Sequence, residues 1–331
     1  MKLRAGVAGA GSMGRNHARC YSLIEEAELE AVYDADLERA KAIAEEFGAE
    51  AVDSLEALAE ASDLASVAVP TVAHLSVGGE LMRRGVHVLM EKPIAPNVEE
   101  AQELVKLAGE FDRILQVGHI ERFNPVMREL EAKLHQPKFI EAHRLSPFPN
   151  RSIDIGVVLD LMIHDLEIIL HLVKSPVASI DAVGVPVLMK SEDIANARLR
   201  FENGCVANVT ASRISPERLR KIRVFQDDGY LSLDYQEQAG EMYWKEGGEI
   251  RKAPVEVEKD EPLKLELSAF VESVRDGKTP AVTGQQGTTN GATLQITSTQ
   301  SVSRLSSWFT QPGSLRKRNL PSTNTFFAEE T

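Results

Sequence analysis

Short apolar runs alternate with longer amphipathic stretches along the first 120 residues. Leu3 to Ala8, Leu29 to Tyr33, Leu64 to Val69, Val86 to Met90 and Ile114 to Val117 read as strands. Between them, Leu37 to Phe47 and Val98 to Phe111 repeat apolar residues at helical spacing. Asn97 stands where an N-cap belongs, with Glu99 and Glu100 in the first turn. Strand and helix alternating in this way predict a doubly wound parallel sheet with right-handed crossovers.

Beyond Ile120 the rhythm changes. One strongly apolar helix is expected from Leu159 to Val173. It precedes alternating strands broken at Glu202-Asn203-Gly204, Asp227-Asp228-Gly229 and Glu246-Gly247-Gly248. Asn-Gly, Asp-Gly and Gly-Gly are hairpin signals, so this half is expected to be α+β with a mainly antiparallel sheet. An open sheet needs its second face covered, and another subunit is a usual cover. The expectation is a homo-oligomer, dimer or tetramer, formed through that sheet. From about Gly284 onward half the residues are Ser, Thr, Asn or Gln, and acidic residues vanish until Glu329. Such a composition offers little apolar burial, and loose packing is the default expectation.

The first strand is followed at once by Gly9, Gly11 and Gly14, a G-x-G-x-x-G that leads into a helix near Met13. The first glycine permits a tight turn, the second lets the backbone approach a pyrophosphate, and the third lets helix and strand pack closely. The N–H groups and positive dipole end of the helix, at Ser12, Met13 and Gly14, then face the phosphates. Asp34 ends the second strand about twenty residues on, where the fingerprint requires an acid for the adenosine ribose. A carboxylate there accepts from a 2′-hydroxyl and repels a 2′-phosphate, so NAD is favoured over NADP. The chain then divides into an NAD-binding domain, 1–120, a substrate-binding and oligomerisation domain, 121–284, and an atypical polar tail, 285–331.

At 331 residues the chain is long enough for two cores. Its net charge of −13 argues against nucleic acid and anionic membranes as partners. The two cysteines, Cys20 and Cys205, lie too far apart for a zinc spacing and form no disulfide framework. No run resembles a signal peptide, and none approaches the ~20 apolar residues of a membrane span. A cytoplasmic protein is expected.

Two places carry candidate proton chemistry. Glu91-Lys92-Pro93 follows a strand of the parallel sheet, at the carboxyl edge where doubly wound folds bind ligands. Pro93 biases Lys92 toward an extended backbone, and a cationic nicotinamide nearby would ease proton release from its ammonium. The second place is Asp160-Leu161-Met162-Ile163-His164. Asp160 and His164 are four apart and share one face of a helix, where a carboxylate can orient an imidazole base. Glu167 and His171 extend that face and raise a metal reading. Hydride transfer needs no Lewis acid when a lysine polarises the oxygen, so no metal is expected.

These residues resemble the glucose–fructose oxidoreductase and inositol 2-dehydrogenase family, often written Gfo/Idh/MocA. The resemblance runs from about Leu3 to Gly284 and rests on the ordered combination of glycine loop, Glu91-Lys92-Pro93 and Asp160 with His164. It implies a Rossmann domain joined to a C-terminal domain with a large open sheet. It also implies a catalytic group of Lys92, Asp160 and His164, with Thr71, His74 and Glu91 passing near the cofactor. Residues Gly118 to Pro125 and Asp154 to Asp165 are similar to the branch containing UDP-N-acetylglucosamine 3-dehydrogenases. The implied substrate is a sugar, in particular a nucleotide sugar, with Arg122, Asn124 and Arg144 as polar groups for sugar or diphosphate. A non-catalytic NAD-sensing regulator and an NAD-dependent glycosidase of the same fold stay open beside the dehydrogenase. Family members close with an apolar helix against the nucleotide-binding domain, whereas Gly287 to Phe309 here is mostly polar. A shifted reading frame and a diverged terminus both account for that.

Overall fold

The computed structural model describes residues 2–148 and 155–289. Most of the polar tail therefore lies outside the described residues. The first half runs β1 (Leu3–Ala8), α1 (Ser12–Tyr21), β2 (Ala27–Tyr33), α2 (Leu37–Phe47), β3 (Glu50–Val52), α3 (Leu55–Glu60) and β4 (Leu64–Val67). It continues through α4 (His74–Arg83), β5 (His87–Glu91), α5 (Val98–Glu110) and β6 (Leu115–Gly118). All strand pairs are parallel, and the six-stranded order is β3-β2-β1-β4-β5-β6. Strand order reverses between β1 and β4, and this switch point opens a crevice at the carboxyl edge of the sheet. Asn97 caps α5 as expected, its Oδ1 accepting from the Glu100 N–H at 2.8 Å.

The second half runs α6 (Pro125–Lys133), β7 (Phe139–Leu145), α7 (Ile163–Val173), β8 (Val177–Val185), β9 (Ile194–Phe201) and β10 (Val206–Ser212). It ends with β11 (Leu219–Gln226), β12 (Gly229–Asp234), β13 (Ala239–Glu246), β14 (Glu249–Val255) and α8 (Pro262–Asp276). Its eight-stranded sheet has the order β14-β13-β12-β11-β7-β10-β9-β8. Only β7 and β10 pair in parallel, and the three glycine turns join antiparallel neighbours as expected. Burial alternates along β7: Ile140, Ala142 and Arg144 face inward, while Phe139, Glu141 and His143 face outward. The inward face packs on Met162, Leu166 and Ile169. Val126, Met127 and Leu130 of α6 join that same inward core.

The apolar helix expected from Leu159 to Val173 is present without a break, but it opens on a π-helical turn, Val158–Met162, before the α-helix of Ile163–Val173. The helix α8 lies within the expected 121–284 unit but packs on the first sheet. Leu263, Leu267, Phe270 and Val271 of α8 share one core with Val7, Cys20 and Tyr21, so the chain has already returned to the first sheet. Residues 284–289 are helical, and a Cβ on Gly287 would come within 2.7 Å of Val117 on β6. Helical periodicity announces that a helix has an apolar face, but not which of two cores receives it. No helix among the described residues is long and apolar enough to cross a membrane.

Candidate active site

β1 delivers the glycine loop to the switch point. Gly9 has φ +104°, and a Cβ there would lie 2.5 Å from the Ala68 carbonyl oxygen. At Gly14 a Cβ would sit 1.7 Å from the Gly9 carbonyl oxygen, so any side chain would push α1 off its strand. Gly11, by contrast, has nothing within 4 Å of its missing side chain. That open approach lies beside a helix start that no side chain caps, so its first N–H donors are available to an anion. Asp34 is held by the same loop. Its Oδ2 accepts from the Ala10 N–H at 2.7 Å and its Oδ1 from the Asp36 N–H at 2.8 Å. Each oxygen keeps a lone pair for a ribose hydroxyl. The residues present therefore fit a dinucleotide.

Thr71 opens a short 3₁₀ turn after β4 and, with Met13, lines a cleft of about 520 Å³ between the two sheets. His74 reaches the same cleft, but its imidazole is committed elsewhere. Nδ1 lies 3.2 Å from the Ile94 carbonyl and Nε2 3.0 Å from the Val69 carbonyl, so the ring ties two loops together. Glu91 also lines this cleft, and its carboxylate is hydrogen-bonded within the protein. Its Oε1 accepts from His17 Nε2 at 2.9 Å and its Oε2 from the Lys92 N–H at 3.1 Å. Burial alone would raise this carboxyl, but the contact to His17 and the charge of Lys92 hold it below its ordinary range. His17 continues inward to the Ser66 hydroxyl at 2.8 Å, and Ser66 to the Tyr21 hydroxyl at 2.9 Å. Sequence reasoning missed this relay, although a histidine on the buried face of α1, one turn past Gly14, was its signal.

Lys92, at the end of β5, meets Asp160 from the π turn. Its Nζ donates to the Asp160 carbonyl oxygen at 3.1 Å and stands 4.0 Å from the Asp160 carboxylate. No hydrogen bond joins Asp160 to His164 among the described residues, which corrects the expected orienting role. The π turn closes its hydrogen bonds over five residues, so positions four apart no longer stack as in an α-helix. His164 Nδ1 is buried without a hydrogen-bond partner. Burial, then the charges of Lys92 and Arg144, drive its pKa well below the ordinary value. The imidazole is thus neutral and able to take a proton. His119, also buried nearby, is pushed down to about 3 by burial and Lys92.

The three residues expected at the substrate each have partners within the protein, and of them only Arg144 lines the cleft of Lys92 and His164. Arg144 donates to Asp165 at 2.8 and 3.1 Å and to Glu121 at 2.8 Å, and it is buried. Arg122 is paired with Glu167 at 2.7 Å. Asn124 caps α6 and donates to the Tyr235 carbonyl at 3.0 Å. Arg122 and Asn124 line a different cleft, of about 650 Å³. Long polar side chains on a buried strand or turn satisfy one another before they can serve a ligand. Arg218 and Arg220, which the sequence reading passed over, do open on the cleft with Lys92 and His164. Glu167 and His171 do not converge either, since His171 pairs with Glu131 at 2.9 Å.

A nucleotide-binding sheet whose carboxyl edge presents a lysine against a histidine from a second domain defines an NAD-linked oxidoreductase. Residues 3–119 match the model of an oxidoreductase family with an NAD-binding Rossmann fold, and residues 127–232 match the GFO/IDH/MocA C-terminal domain. The chain belongs to this Gfo/Idh/MocA family and is an NAD-dependent dehydrogenase acting on a CH–OH group. It is 37% identical to the UDP-N-acetylglucosamine 3-dehydrogenase of Acidithiobacillus ferrooxidans, over 82% of this chain and 88% of that one. The solved structure of that enzyme superposes with a TM-score of 0.87 over 91% of this chain and 98% of its own, at 35% identity. A Thermotoga maritima myo-inositol 2-dehydrogenase is 26% identical over 86% and 92% of the two chains.

Proposed function

We propose that this protein oxidises a ring hydroxyl of a nucleotide sugar of the UDP-N-acetylglucosamine type. The observation that carries this reading is the meeting of Lys92, from the carboxyl edge of the first sheet, with Asp160 and His164, from the second domain, in one cleft beside the glycine loop. NAD, when bound, supplies the hydride acceptor. Lys92 donates a hydrogen bond to the reacting oxygen, and neutral His164 takes the hydroxyl proton as hydride leaves the carbon. Asp160 fixes the Lys92 ammonium at that oxygen, the positioning role that its carbonyl and carboxylate support. Gly9, Gly11, Gly14 and the Ser12–Met13 helix start hold the pyrophosphate, and Asp34 holds the ribose. A cytoplasmic homo-oligomer belongs to the same reading.

Formation of NADH across UDP-sugars, free hexoses and inositols tests it. Stoichiometric NADH with UDP-N-acetylglucosamine is expected, which a regulator or an NAD-recycling glycosidase would not give. Activity confined to unphosphorylated polyols refutes it. Lys92→Ala should lower turnover by about two or more orders of magnitude while NAD still binds. Near-normal turnover in that variant removes Lys92 from the reaction.

A further inference from the structure

The wall of the cleft opposite the glycine loop concentrates a charge that the chain as a whole opposes. With a net charge of −13, the protein nevertheless places Arg144, Arg218 and Arg220 along one side of the cleft that contains Lys92. Arg220 stands directly across from Arg144 in the β11–β7 register. It shares the parity of Ile222 and Val224 and so lies on the Arg144 side of the sheet, but at the exposed start of the strand. Like charges opposed across antiparallel strands repel.

The nearby acids Glu121 and Asp165 offset part of that repulsion at Arg220 but are shared with Arg144. Glu121 and Asp165 are both engaged by the Arg144 guanidinium. Neither Arg218 nor Arg220 has a carboxylate within ion-pair distance among the described residues, and both side chains are open to solvent. Burial, followed by the charge of Arg144, draws the Arg220 guanidinium below its ordinary value. Solvated and without an ion pair, these guanidiniums are available to a ligand that brings the counter-charge, and guanidinium favours phosphate oxygens.

Two further features narrow the anion. Arg218 and Arg220 are two residues apart where β11 begins, about 6.5 Å along an extended chain, a span suited to two linked phosphates rather than to one carboxylate. Phe148, just past the end of β7, opens on the same cleft and is 38% exposed. A ring at the mouth of a phosphate site offers a stacking surface to a base.

We propose that this wall is a nucleoside-diphosphate subsite, in which Arg218 and Arg220 hold the diphosphate and Phe148 stacks on the base. The assignment rests on the reading of Lys92 and His164 as the reacting end, because it places the nucleotide arm of the substrate on the wall beyond them.

Calorimetric titration of the NADH-loaded full chain tests it, with UDP, inorganic pyrophosphate and uridine as probes. UDP is expected to bind the wild-type protein, and Arg218→Ala/Arg220→Ala to weaken UDP by about 100-fold. Phe148→Ala should weaken UDP by about tenfold while leaving pyrophosphate unchanged. Arg218→Lys/Arg220→Lys should fall between wild type and the double alanine variant, and unchanged NADH affinity in every variant separates a lost contact from a lost fold. If the wild type oxidises UDP-N-acetylglucosamine but the double alanine variant binds UDP within twofold of it, the subsite is wrong and the substrate reading stands. If the wild type binds no UDP and oxidises only unphosphorylated polyols, both fall together.

Discussion

His17 reaches the reaction only through Glu91. The pair is buried on the His17 side, the contact is 2.9 Å, and the same carboxylate receives the backbone N–H of Lys92. Removing the imidazole leaves Glu91 desolvated without its partner, so its pKa rises. As pH falls through that higher value, Glu91 becomes neutral and the Lys92 backbone loses a charged acceptor. His17→Ala should therefore lower kcat by about 10- to 100-fold and move the acid limb of the kcat/KM profile to higher pH. His17→Gln, which can still donate to Glu91, should recover part of both effects. An unchanged acid limb would reduce His17 to a packing residue. At this scale the sequence was legible wherever backbone chemistry selects the residue. Gly9, Gly14 and Asp34 occupy the environments their spacing implies. Glu91 and His74 were expected near the cofactor from the family resemblance, and Arg122, Asn124 and Arg144 at the substrate from residue type. In the fold they also bind His17, carbonyl oxygens and other carboxylates, a competition that no one-dimensional pattern displays.

At the level of elements, α8 carries the least expected group. Glu266 is fully buried between this helix and the first sheet, and neither of its carboxylate oxygens has a partner. Burial, then the charges of Glu91 and Glu167, raise its pKa well above 4.5. Between 4.5 and that higher native value the folded state keeps a proton the unfolded chain has lost, so this contribution to stability is present at low pH and disappears as pH rises. The loss is about 1.4 kcal/mol per pH unit within that window. Glu167, raised by burial to about 7, adds a loss of the same sign up to that pH. Glu266→Gln does not titrate, so its Tm should gain on the wild type as pH rises above 4.5 toward the raised native value. Parallel Tm curves would show that Glu266 is ionised in the native state. Element legibility follows length and periodicity. The long helices and the hairpins were visible, whereas β3 has only three residues and the π turn opens a helix without changing its composition. The docking of α8 on the first sheet is a tertiary choice between two apolar cores, which local spacing does not encode.

For the whole molecule, the open question is what covers the second sheet. Its outward face carries a row of rings on four neighbouring strands: Phe139 and Phe225 at 5.7 Å, Phe225 and Tyr230 at 4.8 Å, Tyr230 and Tyr243 at 4.4 Å. Aromatic area of this kind favours a partner surface, and a second copy of the chain presents an identical row for an isologous contact. Opposing it is the net charge of −13, which repels copies at long range but is screened beyond about 8 Å at physiological salt. Contact between the faces, not the overall field, should therefore decide assembly. Phe225→Lys/Tyr230→Lys discriminates between these effects, because it lowers the net negative charge while setting ammonium groups in the centre of the face. If the field decided, the variant would associate more strongly than the wild type. If the aromatic face decides, light scattering at micromolar concentration should give a multiple of the chain mass for the wild type and a single chain mass for the variant. A wild-type protein that is monomeric under those conditions would leave the face without a second copy and remove the sheet from assembly.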